Sequence, residues 1–209
     1  MPIRTGLDER MKSIQQDLRE YFEEAKDVYS DAIDAFTKLD REVYSEAKKV
    51  RAKAREVNWD LTNNLLLILS LNQPLMKDLR IVATYLRAVD TVERLIRHAR
   101  DIARSDRSLD ENADQLPSDI VDPVRSMHGS LNALIDITIE CLTNGGEVPA
   151  DEVREHWTAV KTSHAEAVAA LSILKSDTLG GKAMRLEVIN IVSRVDRSAY
   201  NIVRLNGMW

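Results

Sequence analysis

The sequence predicts an all-α protein made of two repeated antiparallel three-helix bundles, six helices in all. Three observations carry that expectation. Of the 209 residues 44% are apolar but only 5% aromatic, with seven glycines and five prolines. Sheet proteins draw more heavily on aromatic, β-branched and turn-forming residues, whereas Ala, Leu, Glu, Arg and Lys favour helix. Break signals then divide the chain into long segments of helical periodicity. Finally, the chain repeats itself: "VERLIRHARDI" at Val92 to Ile102 and "VSRVDRSAYNI" at Val192 to Ile202 share Val, Arg, Arg, Ala and Ile at the same relative places. A repeat of this length marks a duplicated supersecondary unit. Two such units joined by short loops suit a pair of bundles about a pseudo-twofold axis.

The elements follow in order. Asp8 to Phe36 contains no glycine or proline, and Leu18, Tyr21, Ala25, Tyr29, Ala32 and Phe36 recur at three- and four-residue steps. Leu39-Asp40 interrupts it, and Asp40 can cap a second helix running from Arg41 to about Leu71. Its second half, "LTNNLLLILSL", is the most apolar part of the chain and is expected in the core. Asn72 and Pro74 in "NQP" read as a cap and a first-turn proline for the third helix, which reaches Arg107. Ser105 to Asp119 is polar and without apolar period, a linker between halves. The fourth helix spans about Pro123 to Leu142. "TNGGEVPAD" ends it and opens the fifth at Pro149 and Asp151, reaching about Lys175. "SDTLGG" breaks the chain again before a last helix from Lys182 to about Leu205. The expected division is a first bundle over 1–107, a linker over 108–119 and a second bundle over 120–209.

The formal net charge of −5 argues against nucleic acid as the main partner, since binders of phosphate backbones carry a basic surplus. One cysteine, Cys141, rules out an internal disulfide and a cysteine metal cluster, and its neighbours Ile139 and Leu142 suggest a buried thiol. "MPIRTGLDER" has no apolar core of a signal peptide, and the run Leu65 to Leu71 is far short of the ~20 residues of a membrane span. The expectation is a cytoplasmic protein that meets a membrane only through partners.

The third helix carries the most information. Ile81, Tyr85, Ala88, Val92, Leu95, Ile96, Ala99 and Ile102 make one broad apolar face. Arg80, Arg87, Asp90, Arg94, Arg97, Asp101 and Arg104 make the opposite face. Glu93 lies at the border with Arg97 one turn on, and an i,i+4 ion pair between them is expected. The third and last helices align at an offset of one hundred: Leu86 with Leu186, Val92 with Val192, Arg94 with Arg194, Arg97 with Arg197, Ala99 with Ala199, Ile102 with Ile202, Arg104 with Arg204. The bland reading of the charged face is solvated ion pairs; the sharper one is a cationic surface for an acidic partner or a network between bundles.

"NQPLMKDLRIVATYLRAVDTVERLIRHARDI" resembles the third helix of the PhoU family, accessory proteins of phosphate transport. Gln73-Pro74, Asp78-Leu79-Arg80 and Glu93-Arg94 carry the resemblance, and the repeat and helix count agree with it. The resemblance implies a non-enzymatic adaptor that negatively regulates phosphate uptake and phosphate-starvation signalling. Its implied partners are the transporter's ATPase subunit and a sensor histidine kinase, with no cofactor; a homodimer stays open. Family members place Glu-x-x-x-Asp on this helix, and in several such pairs hold metal clusters. Here Arg97 stands at the aspartate, and Ser193 and Arg197 take the two places in the second copy. A guanidinium has no lone pair to give a cation, so no metal is expected there. Asp196, one residue early, is expected to pair with an arginine. The residues assigned to partner binding are Asp78, Arg80, Asp90, Glu93, Arg94, Arg97, Arg194 and Arg197, with Arg197 the more exposed of the two repeated arginines and joined at a docking point by Arg194 and Arg204.

Other chemistry is weak. His156 and His164 with Glu152 read as ordinary surface residues. No Glu-x-x-His pair supports a di-iron bundle. "LGGKA" at Leu179 to Ala183 fails as a phosphate loop. Trp59 and Trp157 read as packing anchors, and Trp209 stays undecided. Two alternatives to the adaptor remain: a metal-binding bundle with other carboxylates, and a paralogue of the same fold serving another transporter.

Overall fold

The computed structural model describes residues 3–38, 40, 42–107, 116–144, 147–174 and 182–207. Six helices follow in chain order: α1 (Ile3–Lys38), α2 (Val43–Asn72), α3 (Lys77–Arg107), α4 (Ser118–Asn144), α5 (Ala150–Ile173) and α6 (Lys182–Asn206). The described residues include no strand. Leu179 to Gly181 and Trp209 lie outside them.

Several boundaries differ from expectation, beginning with α1, which starts at Ile3 rather than Asp8. Asp40 acts one step before α2, its carboxylate accepting from the Glu42 amide at 3.0 Å, so the helix begins at Val43. Asn72 ends α2 instead of capping α3. Gln73 (φ 44°) and Met76 (φ 47°) both take the left-handed region, and the buried Pro74 lies between them. That turn delays α3 to Lys77, with Asp78 in its first turn facing the positive end of the helix dipole. At α4, Pro117 rather than Pro123 serves the start: its carbonyl accepts from the Ile120 and Val121 amides at 2.9 and 3.1 Å. Pro123 sits inside the helix, close enough to its N-terminus to remove little from the hydrogen-bond ladder.

Packing joins the helices into one body. α1, α3, α6 and α4 form a closed ring, each against the next. Among the described residues, α2 packs only on α1 and α3, and α5 only on α4 and α6. A single hydrophobic cluster runs through both repeats, from Tyr21, Phe22 and Phe36 in α1 to Ile191, Val195 and Ile202 in α6. Cys141 is buried in it, and burial pushes its thiol pKa up.

The burial pattern extends the internal repeat to every helix. Leu18, Phe22, Ala25 and Ile33 of α1 fall 102 residues before Ile120, Val124, Met127 and Ile135 of α4, all buried. Ala47, Ala54, Leu61 and Leu65 of α2 fall 106 residues before Val153, Val160, Ala167 and Leu171 of α5, again all buried. α3 and α6 keep the offset of one hundred at the buried Val92, Ala99 and Ile102 and their counterparts. A twofold arrangement lets a residue touch its own equivalent only near the axis. His98 and Ser198 are such equivalents, with Nδ1 and Oγ 2.8 Å apart. They mark the pseudo-twofold axis at the α3–α6 crossing. A second echo lies between α1 and α4, where Lys26 bonds Asp136 at 2.5 Å. The equivalent positions are His128 and Asp34, and the Asp34 carboxylate acts on His128 electrostatically. No helix among the described residues is long and apolar enough to cross a membrane.

Candidate functional site

Glu93 does not pair with Arg97. It forms an ion pair with Arg51, which α2 directs inward; the two side chains are only 17% and 10% exposed. An i,i+4 reading takes α3 alone, but Glu93 faces the α2 side of the helix, where a fixed guanidinium already waits. Tyr21 of α1 adjoins the pair and donates to the Ala54 carbonyl at 2.9 Å. Burial raises the Tyr21 phenol pKa, with Glu93 adding to the rise and Arg51 opposing it. Three helices therefore meet on one salt bridge. Arg51 Nε and Nη1 are buried without a protein hydrogen-bond partner, so the pair is incompletely satisfied.

Around the axis the arginines gather from both repeats. Arg194 lies 3.8 Å from Asp101, which also meets Arg100 at 2.8 Å. Arg97 is half-buried and Arg197 exposed, the order expected. Burial pushes the His98 pKa down to about 4, and Arg97, Arg194 and Arg197 push the same way against Asp101. Ser198 joins His98 to Tyr29, whose hydroxyl donates to Ser198 Oγ at 3.0 Å. Asp196 is paired, but with Lys161 of α5 at 3.1 Å rather than with an arginine, because α5 brings the lysine across the seam. Asp90 and Arg94 pair along α3 at 3.0 Å, both side chains about half exposed. Asp78 and Arg80 lie apart from all of these, exposed on the first turn of α3.

The largest departure from expectation is in α2. Leu61, Leu65 and Ile68 enter the core, but Leu66, Leu67 and Leu71 are exposed. Trp59 is 68% exposed and is no packing anchor, whereas Trp157 is half-buried against the core. The apolar surface continues through the turn into α3 with Leu75, Met76 (91% exposed) and Leu79. A helix with only two neighbours buries one stripe, so a fully apolar run must leave residues outside. The surplus of leucines in "LLLILSL" over one stripe is the sequence signal for this surface. The exposed motif residues Gln73 and Asp78-Leu79-Arg80 lie along it, with Pro74 buried in the turn.

Fold and seam together define the class: a tandem three-helix repeat closed about one axis and one core. Residues 18–105, the first repeat, match the family model of the PhoU domain. The crystal structure of PhoU from Pseudomonas aeruginosa superposes with a TM-score of 0.83 at 14% identity, covering 96% of this chain and 95% of that one. The phosphate transport system regulatory protein PhoU from Streptococcus pneumoniae gives 0.83 at 16% identity, covering 97% and 94%. No curated protein matches the chain by sequence. The chain thus resembles the PhoU family in sequence over its first repeat and in fold over its length.

A metal at the carboxylate positions of that resemblance does not fit these residues. Glu93 is taken by Arg51, and Arg97, Ser193 and Arg197 complete the set. Among the described residues no three His, Cys, Asp or Glu side chains gather to hold an ion. His156 and His164 are half-buried on α5 without one another.

Proposed function

We propose that this protein is a non-enzymatic, cytoplasmic regulatory adaptor that negatively regulates phosphate uptake and phosphate-starvation signalling. Its partners in this reading are the ATPase subunit of a phosphate transporter and a sensor histidine kinase. The PhoU-domain match and the shared fold support it. The carrying observation is the exposed apolar stretch from Trp59 to Leu79, since surfaces of this kind mark protein–protein contacts. Asp78 and Arg80 form its charged rim. Asp90, Arg94, Arg97, Arg194 and Arg197 supply a cationic seam toward acidic groups of a partner, while Glu93 serves to hold α2 on α3. In the same reading, residues 1–107 and 120–209 are the two repeats, linked by 108–119.

The test is direct binding to the purified ATPase subunit of the phosphate transporter from the same organism. Trp59→Ala with Leu67→Ser and Met76→Ser should weaken binding at least tenfold and leave the thermal midpoint within a few degrees. Equal binding by this variant would remove the surface from the proposal.

A further inference from the structure

The α3–α6 seam holds a small cavity of about 160 Å³ on one side of the pseudo-axis, lined by Arg87, Asp90, Thr91, Arg94, Asn201 and Arg204. Three guanidinium groups and one carboxylate give its wall a formal excess of two positive charges. In a chain whose net charge is −5, that local surplus runs against the bulk. Arg94 gives its Nε to Asp90 at 3.0 Å. Arg87 has no ion pair among the described residues, and Arg204 only lies over the Tyr200 ring, 5.8 Å from its centroid. Two whole forks and the free end of a third therefore remain open toward the cavity. Thr91 donates its hydroxyl to the Arg87 carbonyl at 2.8 Å, which leaves Asn201 to supply a neutral polar group.

The repeat supplies an internal control. Moving each residue by one hundred gives Glu187, Asn190, Ile191, Arg194, Asp101 and Arg104 on the other side of the axis. Those positions hold two arginines and two carboxylates, and Arg194 lies 3.8 Å from Asp101. Arg87 for Glu187 and Asn201 for Asp101 raise the charge by three, Asp90 for Asn190 takes one back, and the difference is two. The folded backbone tolerates both versions, so the fold does not require the surplus. It is a property of this one pocket.

We infer that this cavity binds a small dianionic oxyanion of the phosphate class, free or as the phosphate group of a small molecule. Arginine forks match such oxygens with paired N–H donors. A volume below the ~300 Å³ at which drug-sized ligand sites begin fits a group of this size and leaves little room for a nucleotide. The inference does not rest on the adaptor reading.

Calorimetric titration of the intact protein at low, constant chloride tests it, with inorganic phosphate, glycerol phosphate and succinate as separate ligands. Phosphate should bind, and Arg87→Ala and Arg204→Ala should each raise its Kd at least tenfold, while Arg104→Ala across the axis leaves it within twofold. Binding of glycerol phosphate alone, with the same dependence on Arg87 and Arg204, would assign the site to a phosphorylated small molecule. Binding of neither, equal binding of succinate, or an equal loss in Arg104→Ala would overturn the inference. Circular dichroism of each variant, unchanged from the parent, separates loss of the site from loss of the fold.

Discussion

The two repeats share a backbone plan and solve the same packing problem by different chemistry. Where α1, α2 and α3 meet, the first repeat places Tyr21, Arg51 and Glu93 around a buried ion pair. At the equivalent positions the second repeat has Pro123, Trp157 and Ser193. There Trp157 packs against the core, its ring 6.0 Å from that of Tyr200, with Lys161 5.2 Å above it. One repeat ties its outer helix down with opposite charges; the other uses an aromatic ring under a cation. The lesson is that the seam needs something to fill it and to fix register, and that neither a metal nor a particular residue type is demanded by the fold.

The largest expected effect comes from breaking the first repeat's solution. Glu93→Ala strands the Arg51 guanidinium in the core and should cost about 3–5 kcal/mol in denaturant unfolding. Ser193→Ala, the same position in the second repeat, should stay within about 0.5 kcal/mol. Because Arg51 leaves two nitrogens unbonded, Arg51→Met with Glu93→Leu should recover most of the loss. A double variant as unstable as Glu93→Ala would show that the charges themselves hold α2.

A smaller effect sharpens the comparison at the axis, where His98 faces Ser198. The neutral imidazole is what the folded state holds, since burial first and Arg97 and Arg194 next depress its pKa to about 4. The unfolded chain protonates near pH 6.5. The His98 contribution is therefore complete above about pH 6.5 and is lost progressively as pH falls toward 4, on the order of 3 kcal/mol in all. His98→Ser, which makes the axis symmetric in composition, should flatten the stability profile of the parent over that window. Parallel profiles would place the acid sensitivity elsewhere.

Arg97 should give the smallest effect. With Glu93 held by Arg51, Arg97→Ala removes no ion pair among the described residues and should change stability by no more than about 0.5 kcal/mol. A loss above about 1.5 kcal/mol would mean that Glu93 is shared between the two arginines.

These differences explain what the sequence can reveal. Helix number and order, the repeat of α3 in α6 and most of the core are legible because periodicity and offset are properties of the chain itself. The pairing of Glu93 is not, because an i,i+4 partner is visible in sequence and a partner on α2 is not. Asp196 misleads for the same reason: Lys161 lies on another helix. Trp59 and the leucines of α2 mislead because apolarity reads as burial, whereas burial also depends on how many neighbours a helix has. The offsets of 102 and 106 for α1 and α2 are hard to see by identity, since only scattered pairs such as Ile33 with Ile135 and Leu65 with Leu171 match, whereas burial keeps the offset throughout.

The ring of α1, α3, α6 and α4 leaves α2 and α5 as outriggers, and that sets a hierarchy in time. A helix held by two neighbours can lift at a lower free energy than one closed into the ring, because local opening costs more the more apolar surface it uncovers. The amide protons of α2 should therefore exchange before those of α3, the ring helix with the most packing around it. The apolar surface beginning at Trp59 starts on this faster element. It can adjust its tilt to a visitor while the axis through His98 and Ser198 stays still.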